Sequence, residues 1–407
     1  MRIFFSVGEP SGDLHGANLI GELRRRGITD FAGLGGPRMK AAGCDLLRDM
    51  SDLAVMGLVP ALVKLPQFFR LLAQVERSWE ASRPDAVVLI DYPGFNWHVA
   101  RKAKERGIPV FYYGLPQLWA WLSWRVKKVQ RYVDHALCKL PFEEAWFRAR
   151  GCRATYVGHP YFDELRAQQL DEEFLRQCRA RPERLLTILP GSRTHEVRSN
   201  LPMLLAAAAR VRSALPGVRL AIASYNEKQA VLARQLAGSG PAPAEIHVGR
   251  TPELIAAADC CFAVSGSVSL ELLYHARPSV IVYRTSPWLY ALLRRLVHVR
   301  YITLVNLLAC DDPLATTGGR QPYEAGAPGH EQVLFPEYPT WQDRSEAVAA
   351  HAIRWLSDEQ ERQRLIGKLK VLRERLAAGG ASRAAADYIV QALAVDAEQG
   401  VTLRRAS

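Results

Sequence analysis

The stretch Arg2-Ile-Phe-Phe-Ser-Val-Gly-Glu-Pro-Ser-Gly-Asp13 decides the fold of the first part of the chain. A short apolar run ends at a glycine, and residues 14–26 then follow an amphipathic helical pattern. The same order recurs with an apolar run at 86–90, a helical pattern at 99–106 and a further apolar run at 110–113. Short Val- and Ile-rich strands separated by helices are typical of a parallel, doubly wound sheet.

The second half of the chain repeats this rhythm. A helical pattern surrounds 202–215, and apolar runs predict strands at 185–189, 219–224, 261–264 and 279–283. Because 407 residues exceed the size at which one hydrophobic core stops growing, two domains are expected. We therefore predict an α/β protein with two Rossmann-like, doubly wound domains that face each other across a cleft.

The domain limits follow from a change of composition at 158–184, where two X-Pro pairs flank a polar helical stretch. We predict an N-terminal domain over residues 1–165 and a second domain over 166–375. A charged helical tail over 376–407 is predicted to pack back on the first domain or on a partner subunit.

The composition limits the class of protein. A content of 49% apolar and 23% charged residues is ordinary for a globular enzyme, and the seven scattered cysteines form no C-x-x-C pair. This pattern favours a reducing compartment and argues against a disulfide framework or a zinc site. No secretory signal is visible, and no uncharged stretch reaches the about 20 residues of a membrane span, so we expect a cytoplasmic protein.

The net charge of +12 favours a polyanionic partner, which could be nucleic acid, an anionic lipid surface or a phosphorylated substrate. The sequence contains no signature of an RNA-recognition motif, a zinc finger or a helix-turn-helix. We therefore expect no nucleic acid, while charge alone leaves lipid and phosphorylated substrates open.

Four loops follow predicted strands, and ligands bind at the carboxyl ends of strands in open α/β sheets. In the first loop, Glu9 and Asp13 suit sugar hydroxyls better than a phosphate. Its other candidate substrate contacts are Ser11, Gly12 and His15. The alternative is a capping turn in which Ser11 or Asp13 satisfies the start of the following helix.

The second loop begins at Asp91, directly after an entirely apolar strand. A carboxylate held rigidly between apolar walls is well placed to act as a general base. The alternative is a helix N-cap or a buried aspartate held by backbone amides.

The third loop contains Gly191, Ser192 and Arg193, with Glu196 one turn further on. Backbone donors at a helix start together with a guanidinium are typical of an anion site. An arginine there is unfavourable against the helix dipole, which an anionic ligand would help to explain. The alternative is a surface arginine paired with Glu196.

The fourth loop contains Ser265, Gly266 and Ser267 at a helix start, with Glu271 one turn into the helix. Small residues at such a position suit a diphosphate, and Glu271 could reach ribose hydroxyls. The alternative is plain serine capping with a first-turn glutamate. None of the four loops is a Walker loop or a complete G-x-G-x-x-G motif.

Taken together, the loops predict a nucleotide diphosphate on the second domain and acceptor activation in the first. Glycosyl transfer from a nucleotide sugar fits this division, because the diphosphate would leave toward positive charge and helix dipoles. The sequence offers no D-x-D metal motif for this role, so we expect neither a metal nor a cofactor.

Several segments also resemble a known family. They are Val7-Gly-Glu-Pro-Ser-Gly-Asp13, Val55-Met-Gly-Leu58, Ile90-Asp-Tyr-Pro-Gly-Phe-Asn96, Pro116-Gln-Leu-Trp-Ala-Trp121, Arg125-Val-Lys-Lys128, Leu140-Pro-Phe-Glu143, Val157-Gly-His-Pro160, Leu189-Pro-Gly-Ser-Arg193, Ser265-Gly-Ser267 and Asn306-Leu-Leu-Ala309. In this order they are similar to the lipid-A-disaccharide synthases, which are inverting glycosyltransferases of the two-domain GT-B type.

The resemblance implies transfer of 2,3-diacylglucosamine from its UDP derivative to 2,3-diacylglucosamine 1-phosphate, with a β(1→6) bond and release of UDP. It implies that activity needs Glu9, Asp91, Arg193 and Asn306, with Asp91 as the favoured base. It places Ser11, Ser265, Gly266 and Glu271 in substrate-binding loops. It also implies a peripheral protein on the inner face of the inner membrane, often dimeric through its C-terminal segment.

Two apolar stretches, 58–75 and 286–308, carry few charges other than Lys and Arg and suit an anionic lipid surface. Either could instead be a core helix. The sequence departs from the family at Gly94, where Asp is usual, at Leu115 and at Leu122. Residues 311–339 contain several Pro and Gly without periodicity and predict a long, inserted loop.

Two alternative functions stay open at this point. One is another GT-B enzyme that uses a UDP-sugar, such as a transferase with a different lipid-linked acceptor or a UDP-sugar epimerase. The other is a non-catalytic lipid or nucleotide binder that kept the scaffold; the Gly94 departure favours it, and the intact Glu9, Asp91 and Arg193 argue against it.

Overall fold

The computed structural model describes residues 1–50, 61–238, 244–297, 299–314, 330, 333–377 and 379–405. The chain divides into two compact units. Unit 1 comprises Met1–Asp163 and Gly379–Ser407, and unit 2 comprises Glu164–Ala378. Among the helices that can be described, not one combines the length and the apolar character that crossing a membrane would require.

Unit 1 contains a parallel sheet with the strand order β3-β2-β1-β4-β5-β6-β7. In the described residues its strands are β1 (Arg2–Val7), β2 (Asp30–Gly35), β3 (Asp45–Asp49), β4 (Ala86–Ile90), β5 (Val110–Tyr113), β6 (His135–Cys138) and β7 (Ala154–Tyr156). Its helices there are α1 (Pro10–Arg24), α2 (Pro37–Ala41), α3 (Ala61–Ala81), α4 (Pro93–Glu105), a 3₁₀ turn (Ser123–Arg125), α5 (Val126–Tyr132) and α6 (Pro141–Arg148). The boundary between the units lies within α7 (Pro160–Ala167).

Unit 2 contains a second parallel sheet, with the order β10-β9-β8-β11-β12-β13. Its described strands are β8 (Leu185–Leu189), β9 (Arg219–Ser224), β10 (Glu245–Val248), β11 (Cys260–Val264), β12 (Ser279–Arg284) and β13 (Glu337–Thr340). Its described helices are α8 (Glu172–Arg179), α9 (Thr194–Ala214), α10 (Glu227–Ala237), α11 (Thr251–Ala257), α12 (Val268–Tyr274), α13 (Pro287–Leu296), α14 (Leu304–Ala309), α15 (Ser345–Ser357) and α16 (Glu359–Leu376). The last helix of the chain, α17 (Ala381–Arg405), belongs to unit 1.

The central strands of both sheets are buried on their two faces, which explains their continuous apolar sequences. All five residues of β4 are buried, and so are all five residues of β8 and of β11. The core of unit 1 also includes the inner face of α17, with Ala385, Ala386, Ile389, Ala392 and Leu393. The tail helix is therefore an integral part of unit 1.

The predicted fold class, two Rossmann-like α/β domains followed by a helical C-terminal region, is confirmed. The prediction of a loop over 311–339 is wrong at its end. Strand β13 begins at Glu337 and pairs with β12, although its Pro339 and its short length hide it in the sequence. Most of the predicted loop, residues 315–329 and 331–332, lies outside the described residues.

Candidate active site

The strand order of each sheet reverses at one point, and ligands of open α/β sheets bind there, beyond the carboxyl ends of the strands. In unit 1 the reversal lies between β1 and β4, which are followed by Glu9 and Asp91. In unit 2 it lies between β8 and β11. The loops after those two strands contain Arg193 and Ser265. The structure thus places all four predicted loops at the two reversal points.

The backbone of Asp91 is held in an unusual conformation. Asp91 and the next residue, Tyr92, have φ values of 46° and 43°, in the left-handed region that side chains disfavour. The carbonyl oxygen of Asp91 accepts hydrogen bonds from Asn96 Nδ2 at 2.8 Å and from the hydroxyl of Tyr112 at 2.7 Å. Such strain costs about 1–3 kcal/mol per residue and persists where the surroundings fix it, most often at functional sites.

Buried polar groups support these contacts. Asn96 is fully buried, and its Oδ1 accepts from the hydroxyl of Ser6 in β1 at 2.7 Å. One amide side chain therefore connects β1 with the loop after β4 and holds these two parts of the site together. The family motif that includes Asn96 thus has a structural explanation.

The carboxylate of Asp91 forms an ion pair with Lys139, with 2.9 Å between Oδ1 and Nζ. Lys139 directly follows β6, and 21% of its side chain is exposed. Burial alone would lower the pKa of Lys139, but attraction and a hydrogen bond to Asp91, with the charges of Glu143 and Glu9, raise it. Lys139 is therefore a cation at neutral pH.

Glu9 lies on the neighbouring loop at the N-cap position of α1 and is exposed. The preceding Gly8 packs against the ring of Tyr92, where a Cβ atom would come within 2.3 Å of two ring carbons. Burial, followed by the negative charge of Glu9, raises the pKa of Tyr92. The two loops after β1 and β4 are thus in direct contact, and Glu9 belongs to the surroundings of Asp91.

The expectation that Asp13 caps its own helix is wrong. Its carboxylate accepts from the backbone amides of Gly36, Arg38 and Met39 at 2.8–3.0 Å and so caps the start of α2. The N-cap residue of α2 is Gly36, which has no side chain to accept from the first backbone amides of the helix. Asp13 of α1 provides the carboxylate that accepts from them.

The other candidates of the first loop divide by exposure. Ser11 is exposed, whereas His15 is 6% exposed and Gly12 is buried. A Cβ atom on Gly12 would lie 2.8 Å from Val7 Cγ1, so this glycine allows α1 to pack closely on β1. A substrate on this loop would meet Ser11 before it met Gly12 or His15.

In unit 2, the loop after β8 shows the pairing of Arg193 with Glu196, at 3.1 Å. The Glu196 carboxylate also accepts from the backbone amides of Ser192 and Arg193, both at 3.1 Å. It passes close to Gly191, whose φ of 109° and lack of a side chain leave it room. The alternative interpretation of this loop is therefore the arrangement found, and an anion would have to compete with Glu196 for these amides.

The guanidinium of Arg193 nevertheless keeps most of its surface in solvent, since 73% of the side chain is exposed. The guanidinium is thus accessible to an anion from solvent, while Glu196, which is 15% exposed, holds the backbone amides of the loop. Arg193 remains a candidate for anion binding on this ground.

The loop after β11 is anchored by Ser265, whose amide donates to the Val282 carbonyl at 3.1 Å. Gly266 and Ser267 are exposed, and a Cβ atom on Gly266 would meet nothing within 4 Å. Glu271 is only 5% exposed. The exposed candidates here are therefore Gly266 and Ser267.

Asn306 lies in α14 and is 1% exposed. Its Nδ2 donates to the Phe335 carbonyl at 2.7 Å and to Glu337 at 3.1 Å. Its Oδ1 accepts from the amides of Leu334 and Phe335 at 3.2 and 3.0 Å. These four bonds use the full capacity of the side chain, so Asn306 positions the entry to β13.

Comparison with known proteins adds the decisive observation. The sequence model of the lipid-A-disaccharide synthetase family matches residues 3–321. A lipid-A-disaccharide synthase of Syntrophus aciditrophicus (strain SB) is 34% identical over 388 residues, or 94% of this chain and 96% of that protein. One from Anaeromyxobacter dehalogenans (strain 2CP-1 / ATCC BAA-258) is 35% identical over 394 residues, or 96% and 97%.

The chain belongs to the lipid-A-disaccharide synthase family. It is accordingly a glycosyltransferase of lipid A biosynthesis. The predicted family is confirmed.

Solved structures agree with the family in fold. The glycotransferase of kitacinnamycin superposes with a TM-score of 0.59 at 18% identity, covering 96% of this chain and 98% of that one. The UDP-GlcNAc 2-epimerase of Neisseria meningitidis bound to UDP-GlcNAc gives 0.60 at 10% identity, covering 97% and 100%. At these identities the likeness is one of fold, and it confirms the GT-B class.

The departures from the synthase family differ in their surroundings. A Cβ atom on Gly94 would meet nothing within 4 Å, so packing leaves room for the usual aspartate there. Leu115 is 2% exposed and belongs to the core, while Leu122 is half-buried with a left-handed φ of 54°. The departures at Leu115 and Leu122 thus affect a buried position and a strained turn respectively.

Sequence reasoning missed Lys139. The signal was available in part, because Lys139 ends an apolar run of the same kind as the one that ends at Asp91. Its pairing with Asp91, 48 positions away, depends on β4, β5 and β6 being neighbours in the sheet.

Proposed function

We propose that this synthase joins UDP-2,3-diacylglucosamine and 2,3-diacylglucosamine 1-phosphate through a β(1→6) bond, inverts the anomeric carbon and releases UDP. The observation that carries the proposal is the carboxylate of Asp91, which is held at the reversal point of the unit 1 sheet by a fixed, strained backbone. A general base needs such a fixed position near the attacked bond.

In this mechanism Asp91 removes the proton from an acceptor hydroxyl. The hydroxyl oxygen forms a bond to the anomeric carbon of the donor sugar, on the face opposite to UDP. The bond from that carbon to the diphosphate oxygen breaks, and its electron pair leaves with UDP. Positioned general bases contribute about 10²–10⁴-fold to such steps.

Glu9 is proposed to bind hydroxyl groups of the acceptor, together with Ser11. Its exposure and its position on the loop in contact with Tyr92 support this role. Gly12 and His15 are proposed to support the shape of this loop from within unit 1.

The donor is proposed to bind unit 2. The exposed guanidinium of Arg193 would neutralise the diphosphate, near the start of α9 and the small residues of the loop after β11. The fold neighbour from Neisseria meningitidis holds UDP-GlcNAc, which is in keeping with this proposal. The residues proposed here are Gly191, Ser192, Arg193, Ser265, Gly266, Ser267 and Glu271. We propose neither a metal nor a cofactor.

Asn306 is proposed to act on the reaction through the segment that it holds, rather than by contact with the sugar. The four hydrogen bonds of its side chain support this view.

The enzyme is further proposed to work in the cytoplasm, on the inner face of the inner membrane. Helix α13 supports this, because Trp288, Leu292 and Leu296 are 68%, 43% and 44% exposed and lie four residues apart along one face. Arg295 is exposed beside them. Such a basic, apolar helix face suits an anionic leaflet.

A homodimer through the C-terminal segment is the last part of the proposal. The inner face of α17 is already buried in unit 1, so a partner would contact the other faces of this helix or the end of the chain.

The proposal is tested by incubating the purified chain with both substrates in detergent micelles and measuring UDP and disaccharide together. We expect equal amounts of the two products. We expect Asp91→Ala to lower turnover by about 100-fold or more and to leave the Kd for UDP unchanged. Asp45→Ala, which removes an exposed carboxylate at the edge of the same sheet, is the control and should retain full activity.

Other outcomes select among the alternatives. UDP without disaccharide would reject the acceptor and retain the donor. Formation of an epimeric UDP-sugar would indicate the epimerase reaction that some fold neighbours are named for. UDP binding without either product would indicate a non-catalytic binder.

A further inference from the structure

The charged side chain of Lys139, next to Asp91, has no role in the reaction proposed so far. Lys139 lies within unit 1 with about a fifth of its side chain exposed, and its ammonium group points at the proposed base. A cation held this far from water is costly unless it has a partner. A role for Lys139 in the reaction would explain why the chain holds a cation at this position.

The path of this side chain across the sheet is defined by a glycine. Asp91 follows β4 and Lys139 follows β6, so that β5 lies between them. The residue after β5 is Gly114, with φ of 72°. A Cβ atom there would come within 2.8 Å of Lys139 Cε and 2.9 Å of Nζ. Lys139 thus crosses the end of β5 over a bare backbone to reach Asp91.

The backbone of Lys139 is fixed as well. Its amide donates to Glu143 at 2.9 Å, and the same carboxylate also accepts from Trp119 Nε1 at 2.8 Å. Glu143 is 1% exposed and begins α6. Hydrogen bonds therefore hold the backbone of Lys139, as they hold the backbone of Asp91 at the other side of the ion pair.

Several titratable groups face the ion pair from the surrounding elements. They are Glu9 after β1, Tyr92 before α4, Tyr112 in β5, Glu143 in α6 and His159 before α7. Burial, then the positive charges of Lys139 and His15, holds the pKa of His159 well below its usual range, so that this histidine is neutral. Lys139 is thus a cation that lies near several acidic side chains.

We propose that Lys139 is a positioning residue that holds the carboxylate of Asp91 in the direction of the acceptor hydroxyl. The inference rests on the proposed role of Asp91 as the base. Without the ammonium group, Oδ1 of Asp91 would lose the hydrogen bond that fixes its orientation.

The first test is the steady-state kinetics of Lys139→Met, which keeps about the length of the side chain and removes its charge. We expect kcat to fall by about 10- to 100-fold, because a small displacement of a catalytic group is costly, while the Kd for UDP stays unchanged. Lys139→Arg, which restores a charged hydrogen-bond donor, should recover part of kcat. An unchanged kcat in Lys139→Met would overturn the proposal.

The control is Lys104→Met. It breaks an ion pair with Asp134, at 2.5 Å, before β6 rather than after it, and the two side chains are 36% and 31% exposed. Loss of that pair should leave kcat unchanged. A fall of equal size in the control would show a general effect of losing an ion pair, and would also count against the proposal.

A second measurement does not require a Lys139 variant. The raised pKa of Lys139 depends on Asp91, so Asp91→Asn should lower it and increase the fraction of neutral amine. We expect acetic anhydride to label Lys139 faster in Asp91→Asn, since the neutral amine is the form that reacts. Equal labelling rates would overturn the proposal. If Asp91→Asn keeps full turnover, the proposed base is wrong, whatever the labelling shows.

Discussion

At the scale of single residues, the loops after β1 and β4 meet in a close contact that leaves no room for a Cβ atom on Gly8. Gly8 lies against the ring of Tyr92, and Tyr92 shares its left-handed backbone with Asp91. The backbone conformation that aims the proposed base therefore rests on a glycine in a different loop. Nothing in the sequence identifies the partner of Gly8, because the ring that it meets is 84 positions away.

Gly8→Ala should displace Tyr92 and with it the carboxylate of Asp91. Because a displacement of about 1 Å at a catalytic group can cost about 100-fold, we expect kcat/KM to fall by 10- to 100-fold. The Kd for UDP should stay the same, since the proposed UDP loops belong to unit 2. Steady-state kinetics and calorimetric UDP titration measure the two quantities.

Gly21→Ala is the matched control for this variant. A Cβ atom on Gly21 in α1 would meet nothing within 4 Å, and alanine is the better helix former by about 1 kcal/mol. This control should be fully active and slightly more stable. If Gly8→Ala keeps its activity, the contact with Tyr92 does not position Asp91.

The other residue-level predictions show where sequence reasoning stops. Asp91 was identifiable because a carboxylate directly after an apolar strand is a local pattern. Lys139, and the capping of α2 by Asp13, depend on which elements are neighbours in three dimensions. The pairing of Arg193 with Glu196 is local and was open as an alternative, but residue types alone could not exclude an anion in its place.

At the scale of elements, α13 is the described helix that differs most from a core helix. Its Trp288, Leu292 and Leu296 face solvent, although a helix of a globular unit normally buries such a stripe. The sequence left open whether 286–308 is a core helix or a surface for lipid. The structure divides this stretch, with α14 buried at Val305, Leu307 and Leu308 and α13 largely exposed.

The variant Trp288→Ser/Leu292→Ser should weaken binding to vesicles that contain phosphatidylglycerol. Each of these side chains contributes about 1.5–3 kcal/mol when it is fully removed from water, so we expect at least a tenfold weaker partition coefficient. Sedimentation with vesicles measures the partition coefficient. Added salt should weaken the binding of the unaltered chain, because it screens the attraction between basic side chains and anionic lipid.

Val371→Ser serves as the control, because Val371 is 68% exposed on a different helix of unit 2, α16. It should bind the vesicles like the unaltered chain. Unchanged binding of the double variant would exclude α13 as the docking surface. The second apolar stretch of the sequence, 58–75, lies partly outside the described residues, which begin again at 61.

The predicted strands are all confirmed. Apolar runs bounded by Gly and Pro marked β1, β4, β5, β8, β9, β11 and β12, because these strands are buried and leave no polar alternation. The sequence analysis missed β2, β3, β6, β7, β10 and β13. Strands β3, β7 and β10 lack a continuous buried run, and β13 includes a proline and is a strand through its pairing with β12.

At the scale of the whole molecule, unit 1 is built from two separate parts of the chain. The connection is secured at Asp163, whose carboxylate accepts from the amides of Gly380, Ala381 and Ser382 at 2.5–3.3 Å. Further along α17, Tyr388 contacts the ring of His135 in β6, with 3.0 Å between the hydroxyl and Nδ1. The sequence predicted a helical tail, but left its partner open because its apolar positions fit either a domain or a second subunit.

Ile389→Ala tests this dependence, because Ile389 is fully buried in the core of unit 1. We expect the free energy of unfolding of unit 1 to fall by about 2–4 kcal/mol, as for other large-to-small core changes. Hydrogen exchange measured by mass spectrometry should become faster in the strands of unit 1 and stay unchanged in the strands of unit 2.

Val395→Ala, in the same helix, is the control, since Val395 is 37% exposed. Its effect should stay within about 0.5 kcal/mol, as for surface positions generally. Equal destabilisation of both units by Ile389→Ala would show that they unfold as one cooperative body.

The return of the chain to unit 1 has a consequence for its synthesis on the ribosome. Unit 2 is continuous in sequence and is complete once Ala378 has been made, whereas unit 1 lacks a wall of its core until α17 has emerged. Domains commonly fold in the order in which they are translated. Here the unit whose first part is translated first should finish folding last, and its nascent form should expose the binding surface for α17 to chaperones until α17 has emerged.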